Sequence, residues 1–355
     1  MAAWVKGGAA DADAAVAAAI ALLAAAKAPV IAGLCAELSA VRAAYRLAGR
    51  IGASLDLAGA AGTYAELGSL SRSGAMTTTP AEAVGRAETV LVVGRAPWAA
   101  PVLAAITASK PTRGVAAGAE RAVLSLGAPE GAAAHLACPA DHGLPVALGR
   151  LRAFAKGHLA GADPYGDLAK RLSASRFGVV LYDPAELGEL GVEILQGLVR
   201  DLNESVRVFA LPLADGFQGR AVTQLAAWTT GQAPRVGFGR GVAEHDPWRF
   251  DAARQAAAGE IDAALWLSTL PAPRPDWLGA LPSVAIVGEA SADARPETAE
   301  VVIAVGVPGE SVGGVLWDDT RGVVGYRAPT GAAAALTAAG VIEAILSGLT
   351  AKEAA

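Results

Sequence analysis

Short runs that are apolar at nearly every position recur along the chain, at residues 89–94, 122–126, 177–182 and 206–211. A strand half exposed to water alternates apolar and polar residues, so strands of this kind need a sheet covered on both faces. Between them lie segments with helical spacing, such as 190–202. The alternation predicts an α/β chain with parallel sheets between helical layers. Near the start, Asp11 or Asp13 can cap an alanine-rich helix in which Val16, Ile20 and Leu23 share a face, and Pro29 follows its end. A strand at 30–33, a helix at 37–51 and a second strand at 53–57 then form a βαβ unit, which implies parallel pairing. After a stretch rich in Gly and Trp at 216–248, the pattern predicts a helix at 250–258, strands at 261–267, 284–287 and 301–305, and a final helix at 332–346. No repeat of fixed period is present.

With 355 residues, 53% hydrophobic and 18% charged, the chain can bury a large core and is expected to form two domains. A net charge of −5 and only 5% aromatic residues exclude a surface built to hold a nucleic-acid backbone. The most apolar early stretch, 14–26, is closed by Lys27 and falls short of the ~20 residues that cross a bilayer. Asp11 and Asp13 stand where a signal peptide wants basic residues. Cys35 and Cys138 offer no disulfide framework, so a reducing, cytoplasmic location is expected.

Four local patterns carry candidate chemistry. Gly309-Glu310-Ser311-Val312-Gly313 matches the G-x-S-x-G string of a nucleophile elbow, but no helix follows and no histidine lies downstream. It is read as a Gly-rich turn. His135, Cys138, Asp141 and His142 include three ligand types that zinc accepts, yet their spacing fits no short zinc motif. The simpler expectation is a strand ending at Cys138, a turn at Pro139, and Asp141 capping a helix that starts near Leu144. Gly237-Phe238-Gly239-Arg240-Gly241, with Arg235 nearby, offers amides and charge to an anion, although no strand feeds it. Glu244, His245 and Asp246 contain acid-base groups, but three adjacent polar residues before Pro247 suit a solvated turn.

A longer series of residues points further. Asp201-Leu202-Asn203, Gly216-Phe217, Gln224, Trp228-Thr229-Thr230-Gly231, Pro234, Phe238 and Arg240-Gly241 are followed by Gly259-Glu260-Ile261-Asp262-Ala263-Ala264 and Pro296-Glu297-Thr298-Ala299-Glu300-Val301-Val302. This series resembles the B subunits of formylmethanofuran dehydrogenases, members of the molybdopterin oxidoreductases related to formate dehydrogenase. Segments 28–33 and 86–94 fit the same order. The resemblance implies two Rossmann-like domains like the central domains of those enzymes: a discontinuous one from 1–60 plus 235–355, and an inserted one from 61–234.

Departures from that family set the functional expectation. A four-iron cluster is usually held by four thiolates, and this chain has two cysteines. The metal-binding cysteine or selenocysteine of the family should fall near Ala61-Gly62-Thr63, and Gly62 has no side chain to bind with. Leu270-Pro271 replaces an Asp-Pro pair that contacts the pterin. The resemblance therefore implies loss of both the iron-sulfur cluster and molybdopterin, with Gly62, Arg220, Gln224, Arg240 and His245 marking a vestigial pterin cleft and no catalytic residue. Shortened B-type subunits of this sort belong to bacterial formyltransferase/hydrolase complexes. There, the resemblance implies, an amidohydrolase-like A subunit and a formyltransferase D subunit move the formyl group from tetrahydromethanopterin to methylofuran and release formate, while the B subunit docks most directly with a C subunit. Two rivals are an active molybdenum or tungsten formylmethanofuran dehydrogenase subunit and a nucleotide-binding module.

Overall fold

The computed structural model describes residues 3–289, 299–334 and 336–354. The chain divides into two compact units, the first comprising Met1–Ala60, Gly216–Trp317 and Val324–Ala355, the second Ala61–Asp215 and Asp318–Val323. It opens with β1 (Ala3–Val5), β2 (Gly8–Ala10), α1 (Ala12–Ala25), β3 (Pro29–Cys35), α2 (Leu38–Ile51) and β4 (Ser54–Leu57). Next come α3 (Ala60–Ser73), α4 (Pro80–Arg86), β5 (Thr89–Val93), α5 (Pro101–Thr107), β6 (Ala122–Leu126), β7 (Leu136–Cys138), α6 (Leu144–Ala155), α7 (Pro164–Ser173), β8 (Gly178–Tyr182), α8 (Pro184–Leu202) and β9 (Val208–Pro212). The last part holds α9 (Gly219–Thr230), β10 (Val236–Gly237), β11 (Glu244–His245), α10 (Ala252–Ala257), β12 (Ala263–Ser268), β13 (Ser283–Gly288), β14 (Val301–Val305), β15 (Gly314–Asp318), β16 (Val323–Arg327) and α11 (Ala338–Ala354).

In the first unit the sheet runs β11-β10-β4-β3-β12-β13-β14-β1-β2, and the five strands from β4 to β14 pair in parallel. Their residues are buried throughout, as both-face coverage requires. Val30, Ala32, Ala264 and Trp266 pack on one face with Ala252 of α10 and Leu278. Helix α11 packs against both α1 and α2. Asp11 caps α1 by accepting the Ala14 amide at 2.7 Å, so of the two candidate aspartates the first is the cap. Sequence order reverses between β3 and β12: β4 lies to one side, β13 and β14 to the other. At this reversal Gly33 has φ +89, and a Cβ there would stand 2.7 Å from the Leu267 carbonyl oxygen.

The second unit is a five-stranded, all-parallel sheet in the order β7-β6-β5-β8-β9. Its strands show a period of two in three dimensions. Leu91, Val93, Val180 and Tyr182 face the layer of α6, α7 and α8, whereas Val90, Val92, Val179 and Leu181 face Leu103 and Ile106 of α5. Here the order reverses between β5 and β8.

Three expectations change. The chain returns to the first unit at Gly216 and not at 235, because the 216–248 stretch contains helix α9, which packs on α2. The final helix starts at Ala338 in place of 332, where the Thr337 hydroxyl accepts the Gly340 amide at 3.1 Å. Of the run 296–302, residues 296–298 lie outside the described residues, while Val301 and Val302 begin β14.

Candidate functional site

In parallel sheets, loops leaving the carboxyl ends of the strands converge where the order reverses, and ligands bind in the crevice this creates. Each unit has one such place. In the second unit Arg95 and Glu186 form it at one side of a cleft of ≈ 660 Å³, the rest of whose lining lies in residues 125–144 and includes Ser125, Cys138 and Asp141. Strand β5 delivers Gly94 with φ +86 and exposes the Arg95 and Ala96 amides. Strand β8 delivers Asp183, whose carboxylate caps α8 at the Ala185 amide (2.8 Å), and then Glu186. The Glu186 carboxylate reaches back across the reversal: it accepts the Arg95 amide at 2.8 and 3.0 Å and the Ala96 amide at 3.0 Å. A Cβ on Gly94 would lie 2.5 Å from that carboxylate, so glycine is required there on two counts. Gly188, with φ 67, breaks the helical path just beyond, which separates the turn bearing Glu186 from the long body of α8.

In the first unit the residue at the reversal is Glu37, between β3 and α2. It is 3% exposed, and its Oε2 has no hydrogen bond of good geometry. Burial pushes the Glu37 carboxyl above the ordinary glutamate range, and polar contacts from its own amide, Ser39, the Ala339 amide and Thr269 only partly offset this.

The expected site residues fall as follows. Gly62 is buried inside α3, and a Cβ there would stand 3.3 Å from the Ala185 amide nitrogen and 3.4 Å from the Ala185 methyl group. It is a close-packing glycine between two helices. Arg220 and Gln224 lie one turn apart on α9, where the Arg220 guanidinium stands 6.0 Å from the Trp317 ring centroid. Arg240 is exposed and paired with Glu244, and His245 Nδ1 lies 2.8 Å from the Arg235 carbonyl oxygen. Gly62 belongs to the second unit and the other four residues to the first.

The anion loop at 237–241 is corrected in both its parts. A short strand, β10, does feed it, and Arg235 is committed elsewhere: its Nε donates to Asp56 at 3.0 Å and its guanidinium pairs with Asp251 at 2.7 Å. Asp56 also accepts the Leu57 and Ala252 amides at 2.9 and 3.0 Å. Gly237 is glycine because a Cβ would strike the Phe250 ring at 2.1 Å. Glu244 and His245 form β11 opposite β10 and not a solvated turn, while Asp246 accepts the Trp248 and Arg249 amides.

His135 and Cys138 frame β7 as expected, but the His135 ring accepts the Val123 amide at 3.0 Å, and α6 is preceded by Gly143 without a cap from Asp141. Burial, then the fields of Asp163 and Asp167, push the Cys138 thiol up to about 11, so it is not a thiolate at neutral pH. Among the described residues no three His, Cys, Asp or Glu side chains are gathered to hold a metal ion. Ser311 is the turn residue expected: its hydroxyl accepts the Val307 amide at 2.9 Å, and a strand, β15, follows. Within the longer resembling series, Asp201 pairs with Arg152 at 2.6 Å and Asp262 accepts the Lys27 and Ala28 amides at 2.8 and 2.9 Å, both as supports of the fold. Sequence reasoning passed over Glu37, Glu186 and Asp56, since their partners are mainly backbone amides or distant residues.

Among the described residues no helix is long and apolar enough to cross a membrane. One relative, the B subunit of the formyltransferase/hydrolase complex Fhc of Methylorubrum extorquens, is 65% identical over 328 residues, which cover 92% of this chain and 91% of that one. A chain in the X-ray crystal structure of the formyltransferase/hydrolase complex (FhcABCD) from Methylorubrum extorquens, in complex with methylofuran, matches at a TM-score of 0.96 and 64% identity, with 100% of both chains covered. No family model matches the chain.

Proposed function

This chain belongs to the family of formyltransferase/hydrolase complex B subunits, and from that premise we propose that it is a structural subunit without a catalytic centre of its own. Its partners in this reading are the other subunits of such a complex: an amidohydrolase-like A subunit, a formyltransferase D subunit and, most directly, a C subunit. Together they convert formyl-tetrahydromethanopterin to formate by way of formyl-methylofuran. We also read the two units as Rossmann-like relatives of the central domains of molybdopterin oxidoreductases. The supporting feature is sheet order: counted from each unit's first parallel strand, the second unit runs 3-2-1-4-5 and the parallel part of the first 2-1-3-4-5.

The observation that carries the non-catalytic reading is the seat of Gly62. At the position where the related dehydrogenases are expected to place a metal-binding thiolate or selenolate, this chain has a glycine packed inside α3 against Ala185. A side chain there would meet a helix and not an open metal site, so the residues do not fit the molybdenum or tungsten pterin centre. Elemental analysis of the complex purified through a tag on this chain tests the reading. The expected result is recovery of the other three subunits with no stoichiometric molybdenum or tungsten. Either metal at one atom per chain overturns it.

A further inference from the structure

The crevice of the second unit combines features that in parallel sheets serve a phosphate. Most of its lining comes from residues 125–144, at the ends of β6 and β7, and Arg95 after β5 and Glu186 after β8 carry it to the place where strand order reverses. A glycine with positive φ, Gly94, turns the chain so that two successive amides, those of Arg95 and Ala96, point to one spot. Consecutive amides in such a turn form a concavity that attracts an anion. An independent feature points the same way: Ser125 of β6 lines the same cleft, is 0% exposed, and its hydroxyl has no hydrogen-bond partner. A buried hydroxyl left unpaired costs free energy, which a bound oxyanion would recover.

An anion is already there. We propose that Glu186 is an internal stand-in for a ligand phosphate: its carboxylate occupies the amide cradle and keeps the cleft closed to phosphate-bearing ligands. Three contacts of 2.8–3.0 Å fill the donors that a phosphate oxygen would need. The charge acts in the same direction, because a phosphate placed in the cleft would meet two carboxylates, Glu186 and Asp141, against one cation, Arg95. Glu186 is exposed to solvent, so an anion from solution can reach the cradle once the carboxylate is removed. This inference deepens the non-catalytic reading and rests on it: a subunit that has no use for a nucleotide or pterin phosphate holds the emptied site together with its own acid.

The test uses the full-length chain in its purified complex, in buffer without phosphate, with inorganic pyrophosphate as the probe and chloride at matched ionic strength as the control. Wild type should show no saturable thermal stabilisation by pyrophosphate. Glu186→Ala, which empties the cradle, should melt lower in chloride and recover by about 2–4 °C as pyrophosphate saturates. Glu186→Gln, whose carboxamide oxygen still fills the cradle, should stay as unresponsive as wild type. If the alanine variant does not accumulate, Glu186→Ser, uncharged and too short to reach both amides, gives the same contrast. Saturable binding of pyrophosphate by wild type, or no gain of binding in either shortened variant, overturns the proposal. Formate release measured in parallel separates the two readings: lost turnover in an assembled Glu186 variant contradicts the non-catalytic role, whatever the pyrophosphate result.

Discussion

Asp56 and Glu37 are buried acids of the same unit, both raised by burial, and only Asp56 has a cation beside it. Asp56 has Arg235 and two backbone amides around it, which offset only part of its burial, so the carboxyl still sits above the ordinary aspartate range, with the nearby Asp251 adding to the rise. Removing one partner of a buried pair typically costs about 3–5 kcal/mol, since the other charge stays behind in a poor solvent for it. Asp251 still holds Arg235, so Asp56→Ala is expected near the lower end of that range in urea denaturation. A variant as stable as wild type would show that the cluster does not stabilise the fold. Glu37 has burial without a matching cation, and its folded-state pKa is raised above 4.5. The fold thus favours the protonated form. Stability from this group is fully present below about pH 4 and is lost as pH rises through the folded-state value. Glu37→Gln should therefore gain on wild type in melting temperature as pH rises from about 4 to 7. Parallel profiles of the two proteins would contradict the assignment.

At the scale of elements, helices α3 and α8 meet through Gly62 and Ala185 with no space to spare. Gly62→Cys overfills that contact, and overpacking typically costs about 1–3 kcal/mol. The variant should unfold at lower denaturant and acquire no formyl dehydrogenase turnover with a dye acceptor, because a single thiolate supplies neither pterin nor an electron-transfer cluster. Turnover above the wild-type background would overturn this. The strands were legible from sequence, since burial on both faces leaves an unbroken apolar run such as Val90 to Val93. Helix α9 was not, because Gly219 at its start, Gly231 after its end and an exposed Trp228 blur the apolar face formed by Ala221, Val222, Leu225 and Ala226. Nor was the cleft legible. Glu186 lies 91 residues from Arg95, and its partners are backbone amides, which any residue but proline supplies. A glycine such as Gly94 marks the turn but not what fills it.

For the molecule as a whole, a structural role means that selection acts on a packed α/β body and on surfaces for partner subunits. Obligate complexes commonly bury more than about 2,000 Å² in total, spread over many residues, so single polar changes away from packed contacts alter little. Residues proposed to mark a vestigial pterin cleft fit that description: Arg240 is exposed in an ion pair of neighbouring residues, and Gln224 is only partly buried on α9. The most direct measurement is formate release by the intact complex carrying Arg220→Gln, Gln224→Ala, Arg240→Gln or His245→Asn in this chain, each preparation checked for its full set of subunits. A structural role predicts turnover nearly unchanged in all four, and poor yield of the other subunits when this chain is deleted. One assembled variant without turnover would place an active site in this chain and contradict that role.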